Sequence, residues 1–339
     1  MRARFVIALL GIVAVPLVWL ALRQRSAPLS SPPSPVVAAP LQTSITGSNA
    51  AASPSRNAAW LNQLYSRGDA SVPEICEFLH RGQDDSIDTA DPSRAWATFT
   101  TVRTALLALL GEIGSADALA CVRDVALSTP EPFELALAAR VLEERQPNQH
   151  RDELIDAARR LLAQHPANAT PLLQLLAYHH VTDAIPEIEE LARTDTRNTP
   201  AAIQALGLMR RDRAVTALAR LWQQPDLSAE NRVLVLRAVG AAAANSEFAR
   251  VELARLYGDA AATPQSRREA LQAVAGPEPY PEPRLLPRTE IAAALPSTKW
   301  LTARLEVLDV LEPLTLDAQV AGELQRTRDK LLQELEMSQ

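Results

Sequence analysis

The feature that most constrains the fold is a two-helix text that recurs along the chain. One copy runs Ala105-Leu-Leu-Ala-Leu-Leu-Gly111, a short turn, then Ala118, Val122 and Val125. Another runs Ile203-Gln-Ala-Leu-Gly207, a short turn, then Ala214, Leu218 and Leu221. The stretch from Ala177 through Ala184, Ile185, Ile188 and Leu191 fits the same frame, and Gly240 through Phe248 and Val251 fits it with a one-residue slip. Ala177 to Gly207 is 30 residues and Gly207 to Gly240 is 33. The 66 residues between Gly111 and Ala177 leave room for one further unit, which Leu135–Glu144 and Leu154–Leu162 fill. Such a period belongs to stacked helical hairpins, because each hairpin buries its apolar stripe only against its neighbours.

Punctuation supports the same parsing. Thr-Pro occurs at 129–130, 170–171, 199–200 and 263–264, each time before a helical apolar pattern, and Ser228 opens the remaining first helix. A hydroxyl at the N-cap accepts an orphan backbone N–H, and proline at the first helical position loses no hydrogen bond. Gly111, Gly207, Gly240 and Gly276 are expected to close first helices in the left-handed conformation. The chain has only 11 glycines, 47% of its 339 residues are apolar, and no sustained alternation of polar and apolar residues appears. These properties exclude a turn-rich β protein and predict an all-α fold, an α-solenoid of antiparallel helix pairs.

The units resemble HEAT and HEAT-like repeats, most closely at Ala205-Leu206-Gly207 with Ala214–Leu221. The resemblance covers roughly residues 100–275, about half the chain. It implies a curved stack of helical hairpins that binds proteins or peptides, in a family where many members have no enzymatic activity.

The flanks differ in composition. Residues 5–22, from Phe5 to Leu22, carry no charge; as a helix they would span roughly 27 Å, close to a hydrocarbon core. A cleaved signal peptide is the rival reading, but the apolar run is long for one and Arg23 and Arg25 follow it directly. Arg2, Arg4 and the terminal amine outnumber Arg23 and Arg25, which favours the short end inside and the body outside the cytoplasm. In a bacterium that is an inner-membrane protein facing the periplasm. Residues 1–25 are thus a membrane anchor, and 26–57 form a tether rich in Pro, Ser and Ala with Arg56 as its one charge. Too little apolar area is present there to offset ordering. Residues 58–276 form the repeats with an N-terminal cap of two short helices, and 277–339 a proline-rich connector and closing helices, the last with Leu316, Val320, Leu324, Leu331 and Leu335 on one side. Tyr280, among prolines, could dock in a partner groove or pack across the end of the stack.

Motifs for chemistry are mostly lacking. No phosphate loop, nucleophile elbow, His-Glu-x-x-His or Cys-x-x-Cys occurs, and no cofactor is implied. His179, Asp183 and Glu187, spaced by four, form the one weak metal candidate. The repeat frame puts a turn at 179–182, which opposes a shared helical face. His150 with Glu153 and Cys76 with His80 are weaker still. Mixed charges and a net charge of −6 argue against nucleic acid. Cys76 and Cys121 would meet an oxidising compartment if the body is periplasmic, and whether they bridge depends on tertiary distance.

The expectation is a membrane-anchored, extracytoplasmic, non-catalytic scaffold that binds another protein of the envelope, with no small-molecule ligand. A lyase-like or accessory enzyme on the same frame, and a mechanical spacer, are the alternatives.

Overall fold

A computed structural model describes residues 54–87, 99, 101–276 and 298–338. The candidate anchor, nearly all of the tether and the proline-rich connector lie outside them. Among the described residues the fold is all-α, with only an isolated bridge between Ser86 and Thr101 as β pairing. No helix among them is long and apolar enough to cross a membrane.

The helices are α1 (Pro54–Arg67), α2 (Val72–His80), α3 (Val102–Ile113), α4 (Ala116–Ser128), α5 (Pro132–Arg145), α6 (Arg151–Leu162), α7 (Thr170–Tyr178) and α8 (Ile185–Thr194). They continue with α9 (Thr199–Met209), α10 (Asp212–Trp222), α11 (Ala229–Ala243), α12 (Glu247–Tyr257), α13 (Pro264–Ala275), α14 (Thr298–Leu311) and α15 (Ala318–Met337). Odd-numbered helices pack on one another in sequence, α1 on α3 and so on through α13 on α15. Even-numbered helices do the same from α2 to α6 and from α8 to α14.

Composition explains which row lies deeper. α7 and α9 contain no Asp, Glu, Lys or Arg, and most of their side chains are buried, Leu172, Leu173, Leu176, Ile203 and Leu206 completely. A helix apolar all round is stable only when covered on most sides. α6, α8 and α10 instead bury one stripe, such as Leu154, Ala158 and Leu161, and keep charged residues outside. Each fully buried leucine contributes about 1.5–3 kcal/mol.

Three glycines do something other than end helices. Gly111, Gly207 and Gly240 lie inside α3, α9 and α11, two to three residues before the helix ends. They sit where the next odd helix approaches, against Val141, Ala238 and the Ala270 backbone respectively. Gly276 follows α13 in extended, not left-handed, backbone. The left-handed C-caps are Gly114 and Arg210. Residue size, not backbone freedom, explains the recurrent glycine: a side chain there would hold neighbouring helices apart.

The N-terminal punctuation is also partly reassigned. Thr263 and Ser228 cap as expected, accepting from Ser266 and Asn231 N–H groups. Thr170 and Thr199 are instead the first residues of α7 and α9, and Thr129 follows α4. There Pro132, not Pro130, opens α5. α1 begins at Pro54, so the last four residues assigned to the tether are helical. Leu316 precedes α15 and is 92% exposed, because Asp317 caps that helix and starts it one residue later.

Candidate functional site

The weak metal candidate is not assembled. His179 is buried just after α7, whereas Asp183, in a short 3-10 turn, and Glu187, in α8, are exposed. No group of three or more His, Cys, Asp or Glu side chains among the described residues could hold a metal. Glu143 Oε1 is 3.7 Å from His179 Nε2, which has no hydrogen-bond partner. Burial, then the charges of Arg151 and His180, push His179 down to about 4, against the opposing pull of Asp152. His150 shares Glu153 with Arg123, and the Arg123 guanidinium holds that carboxyl at about 2. His80 Nδ1 bonds the Cys76 carbonyl at 2.7 Å.

Cys76 of α2 and Cys121 of α4 form a disulfide, with Cα atoms 5.9 Å apart. Three residues after Cys76, the Leu79 carbonyl takes part in a buried charged cluster. Arg103 of α3 donates Nε and Nη2 to the two carboxylate oxygens of Glu134 in α5, and Nη1 to the Leu79 carbonyl at the end of α2. Thr129 donates to the same carboxylate at 2.8 Å. One guanidinium therefore ties three helices, and its bond to Glu134 raises its own proton affinity.

The even-helix side is rich in charge that is met within the chain. Arg123 of α4 pairs with Glu153 of α6, Arg220 of α10 with Glu189 of α8, and Arg250 of α12 with Glu306 of α14. Arg159 of α6 lies 3.7 Å from Glu187 of α8. A cleft of about 530 Å³ between α12 and α14 contains the Arg250–Glu306 pair. A second, of about 320 Å³ between α10 and α12, contains Phe248, which is exposed.

The odd-helix side differs in kind. Arg140, Gln174, Gln204 and Arg237 occupy equivalent positions on α5, α7, α9 and α11, at intervals of 34, 30 and 33 residues. All four are half-buried. Three residues before each stand Leu137, Pro171, Ala201 and Leu234, and four after each stand Glu144, Tyr178, Leu208 and Ala241. These offsets lie on one helical face. Because consecutive odd helices touch, the face is a polar row with mainly apolar rows on either side. Arg140 pairs with Glu144 at 2.8 Å and Arg237 with Glu269 at 3.8 Å. Among the described residues, Gln174 and Gln204 have no side-chain hydrogen-bond partner. At its centre the stripe is uncharged.

Two further contacts repeat with the same period. Arg232 donates to the carbonyls of Trp222 and Gln224 and lies 5.5 Å from the Trp222 ring centroid. Thirty-five residues on, Arg267 donates to the carbonyls of Tyr257 and Asp259 and lies 5.6 Å from the Tyr257 ring. Each clasp joins the end of an even helix to the next odd one. The signal was an aromatic residue with Arg ten positions later, which the apolar frame passed over. Arg304 is another buried cation, stacked on Trp300 and pushed down to about 9 by burial and the nearby Arg210.

No protein family, no curated protein and no solved structure matches this chain. Its candidate site rests on the residues themselves, chiefly the uncharged stripe of α7 and α9.

Proposed function

We propose that the chain is a non-catalytic, HEAT-like α-solenoid scaffold that holds a partner protein on its odd-helix face. The observation that carries this reading is the uncharged stripe centred on Gln174 and Gln204, whose amides have no hydrogen-bond partner among the described residues. Polar groups half out of water and flanked by Tyr178, Ala201, Leu208 and Leu234 suit a protein surface, where complementary groups replace water at little desolvation cost. The pairwise packing of odd on odd and even on even helices supports a stack of hairpins.

The proposed setting is the outer side of a bacterial inner membrane, with residues 5–22 as a single-pass anchor and the body in the periplasm. The Cys76–Cys121 disulfide supports an oxidising compartment. A photo-reactive amino acid at position 204 of the full chain, irradiated in cells, is expected to give a discrete protein adduct. The same group at exposed Asp156 on α6 is expected to give none. Equal labelling from both positions, or none from 204, would refute the scaffold reading. An alkaline-phosphatase fusion after residue 60 that lacked activity would refute the topology.

A further inference from the structure

We propose that Arg304 of α14, with Arg210 beside it, forms a site for a small oxyanion, a carboxylate or a phosphate. The proposal goes beyond the scaffold reading and does not involve the odd-helix stripe.

The first observation is a buried cation whose donors have no acceptor. Arg304 is 3% exposed, and its Nε and Nη1 are buried without a hydrogen-bond partner. Those two nitrogens carry three N–H groups between them. The guanidinium carbon lies 3.1 Å from the Trp300 ring centroid, one turn earlier on the same helix. Stacking serves the face of a guanidinium and leaves the N–H groups of its edge unmet. Other arginines with an unbonded, buried Nε still reach a carboxylate: Arg159 lies 3.7 Å from Glu187, and Arg250 bonds Glu306 at 2.9 Å. Arg103, Arg232 and Arg267 donate to carboxylates or backbone carbonyls. Of these six arginines, only Arg304 has neither among the described residues.

The second observation is the sign of the surrounding charge. Burial, and then the positive charge of Arg210, disfavour the cationic form of Arg304. Glu334 opposes them only in part and lies 4.0 Å from Lys330. Arg210 itself makes no ion pair among the described residues. Two neighbouring cations, one of them out of water, are costly unless an anion joins them.

The third observation is the backbone of Arg210. Gly114, Asn148, His180 and Arg210 occupy the turns of four successive helix pairs in left-handed backbone, with φ of 65°, 61°, 49° and 47°. Glycine and asparagine adopt it readily, whereas arginine bears the full Cβ clash. Backbone strain of this kind persists where the surrounding structure fixes the position of a side chain.

An oxyanion suits this pair of residues. The guanidinium fork matches two oxygens of a carboxylate or phosphate, and the bound charge would offset the repulsion between Arg304 and Arg210. Burial restricts the ligand to a small ion. Trp300 is half-buried in the first turn of α14, so local opening of that helix end gives the ion a way in.

The test uses the full chain in detergent micelles, dialysed at constant ionic strength against radiolabelled phosphate or acetate. Saturable binding of a single equivalent is expected. Phosphate alone would mark a phosphoryl site and acetate alone a carboxylate site, and either supports the proposal. Arg304→Met should abolish binding. Arg304→Lys and Arg210→Gln should each weaken it roughly tenfold, through loss of the fork and of the second cation. At a hundredfold excess over its Kd the anion should raise the thermal midpoint of the wild type by roughly 5–10 °C. It should leave Arg304→Met with only the general effect of salt. Without the anion, Arg304→Met should be at least as stable as the wild type, because an unpaired buried charge is gone. A less stable or unfolded Arg304→Met would mean that the charge is already met within the chain, and would overturn the proposal. No binding, or binding indifferent to both Arg304→Met and Arg210→Gln, would overturn it as well. Binding gained only after Glu278, Glu282 and Glu290 are changed to glutamine would assign the counter-charge to the chain's own connector, with the same consequence.

Discussion

A methyl group on Gly207 would lie 2.7 Å from the Cβ of Ala238 in the next odd helix. At Gly240 it would meet the Ala270 carbonyl oxygen at 2.8 Å, and at Gly111 the two γ-methyls of Val141 at 2.9 Å. Alanine at a helical glycine would otherwise gain about 0.5–1 kcal/mol. Here overpacking, typically about 1–3 kcal/mol, outweighs it wherever the neighbour cannot move. Gly240→Ala and Gly207→Ala are expected to lower stability by about 1–2 kcal/mol net. Gly111→Ala should cost less, since Val141 is a side chain that can shift. Urea denaturation of the three variants checks the order, and a stabilised Gly240→Ala would contradict the close-approach account.

The disulfide closes a loop with a sequence separation of 45. Chain-entropy reasoning gives it about 4 kcal/mol, by restricting the unfolded ensemble. Cys76→Ser with Cys121→Ser, or reduction of the native chain, should lower the denaturation midpoint. The loss should concentrate in α1–α4, as faster amide exchange there than in α9–α13. Uniform change along the chain would argue that the bond does not act locally.

Arg103 and Glu134 are both buried, at 7% and 5% exposure. Removing one partner leaves a charge out of water with no counter-ion, which costs about 3–5 kcal/mol. Arg103→Ala and Glu134→Ala are each expected to destabilise on that scale, whereas the double change Arg103→Met with Glu134→Leu should recover much of the loss. Arg103→Lys should not rescue, because an ammonium cannot span both carboxylate oxygens and the Leu79 carbonyl. A double-mutant cycle on unfolding free energies measures this.

His179 takes its proton near 4 in the folded chain, against the ordinary 6.5 of an exposed imidazole. Between those values the unfolded chain binds more protons than the folded one, so stability falls as the pH falls. The loss begins near pH 6.5 and levels off below about 4, and is of order 3 kcal/mol. Glu143, at 3.7 Å, is too distant to accept a normal hydrogen bond and leaves burial dominant. His179→Gln should flatten the profile over this range in equilibrium unfolding. An unchanged slope would place the acid sensitivity elsewhere.

Local pattern carried much of the architecture. The frame built on Gly111, Ala177, Gly207 and Gly240 located the helices from α3 to α13, because apolar periodicity and turn residues act over a few positions. The same frame misread the glycines. From sequence, a glycine two residues before a turn resembles a C-cap; only the approach of Val141, Ala238 and Ala270 reveals a steric requirement. The interaction face was legible only in part. Gln174 and Gln204 occupy equivalent positions in the text, but nothing local distinguishes a half-buried glutamine without a partner from a solvated one.

The sequence by itself determined that this chain forms helices and, to within a few residues, where those from α3 to α13 lie. Those properties follow from residue preference, capping and a 3.6-residue period, all of which act within one or two turns. The tertiary structure alone decided that Cys76 meets Cys121, that Arg103 reaches Glu134, and that Arg140, Gln174, Gln204 and Arg237 fall on one stripe. Each of these joins residues about 30 or more positions apart. Their juxtaposition depends on how closely neighbouring helices pack, and that distance is set by side-chain volume on both sides of every contact.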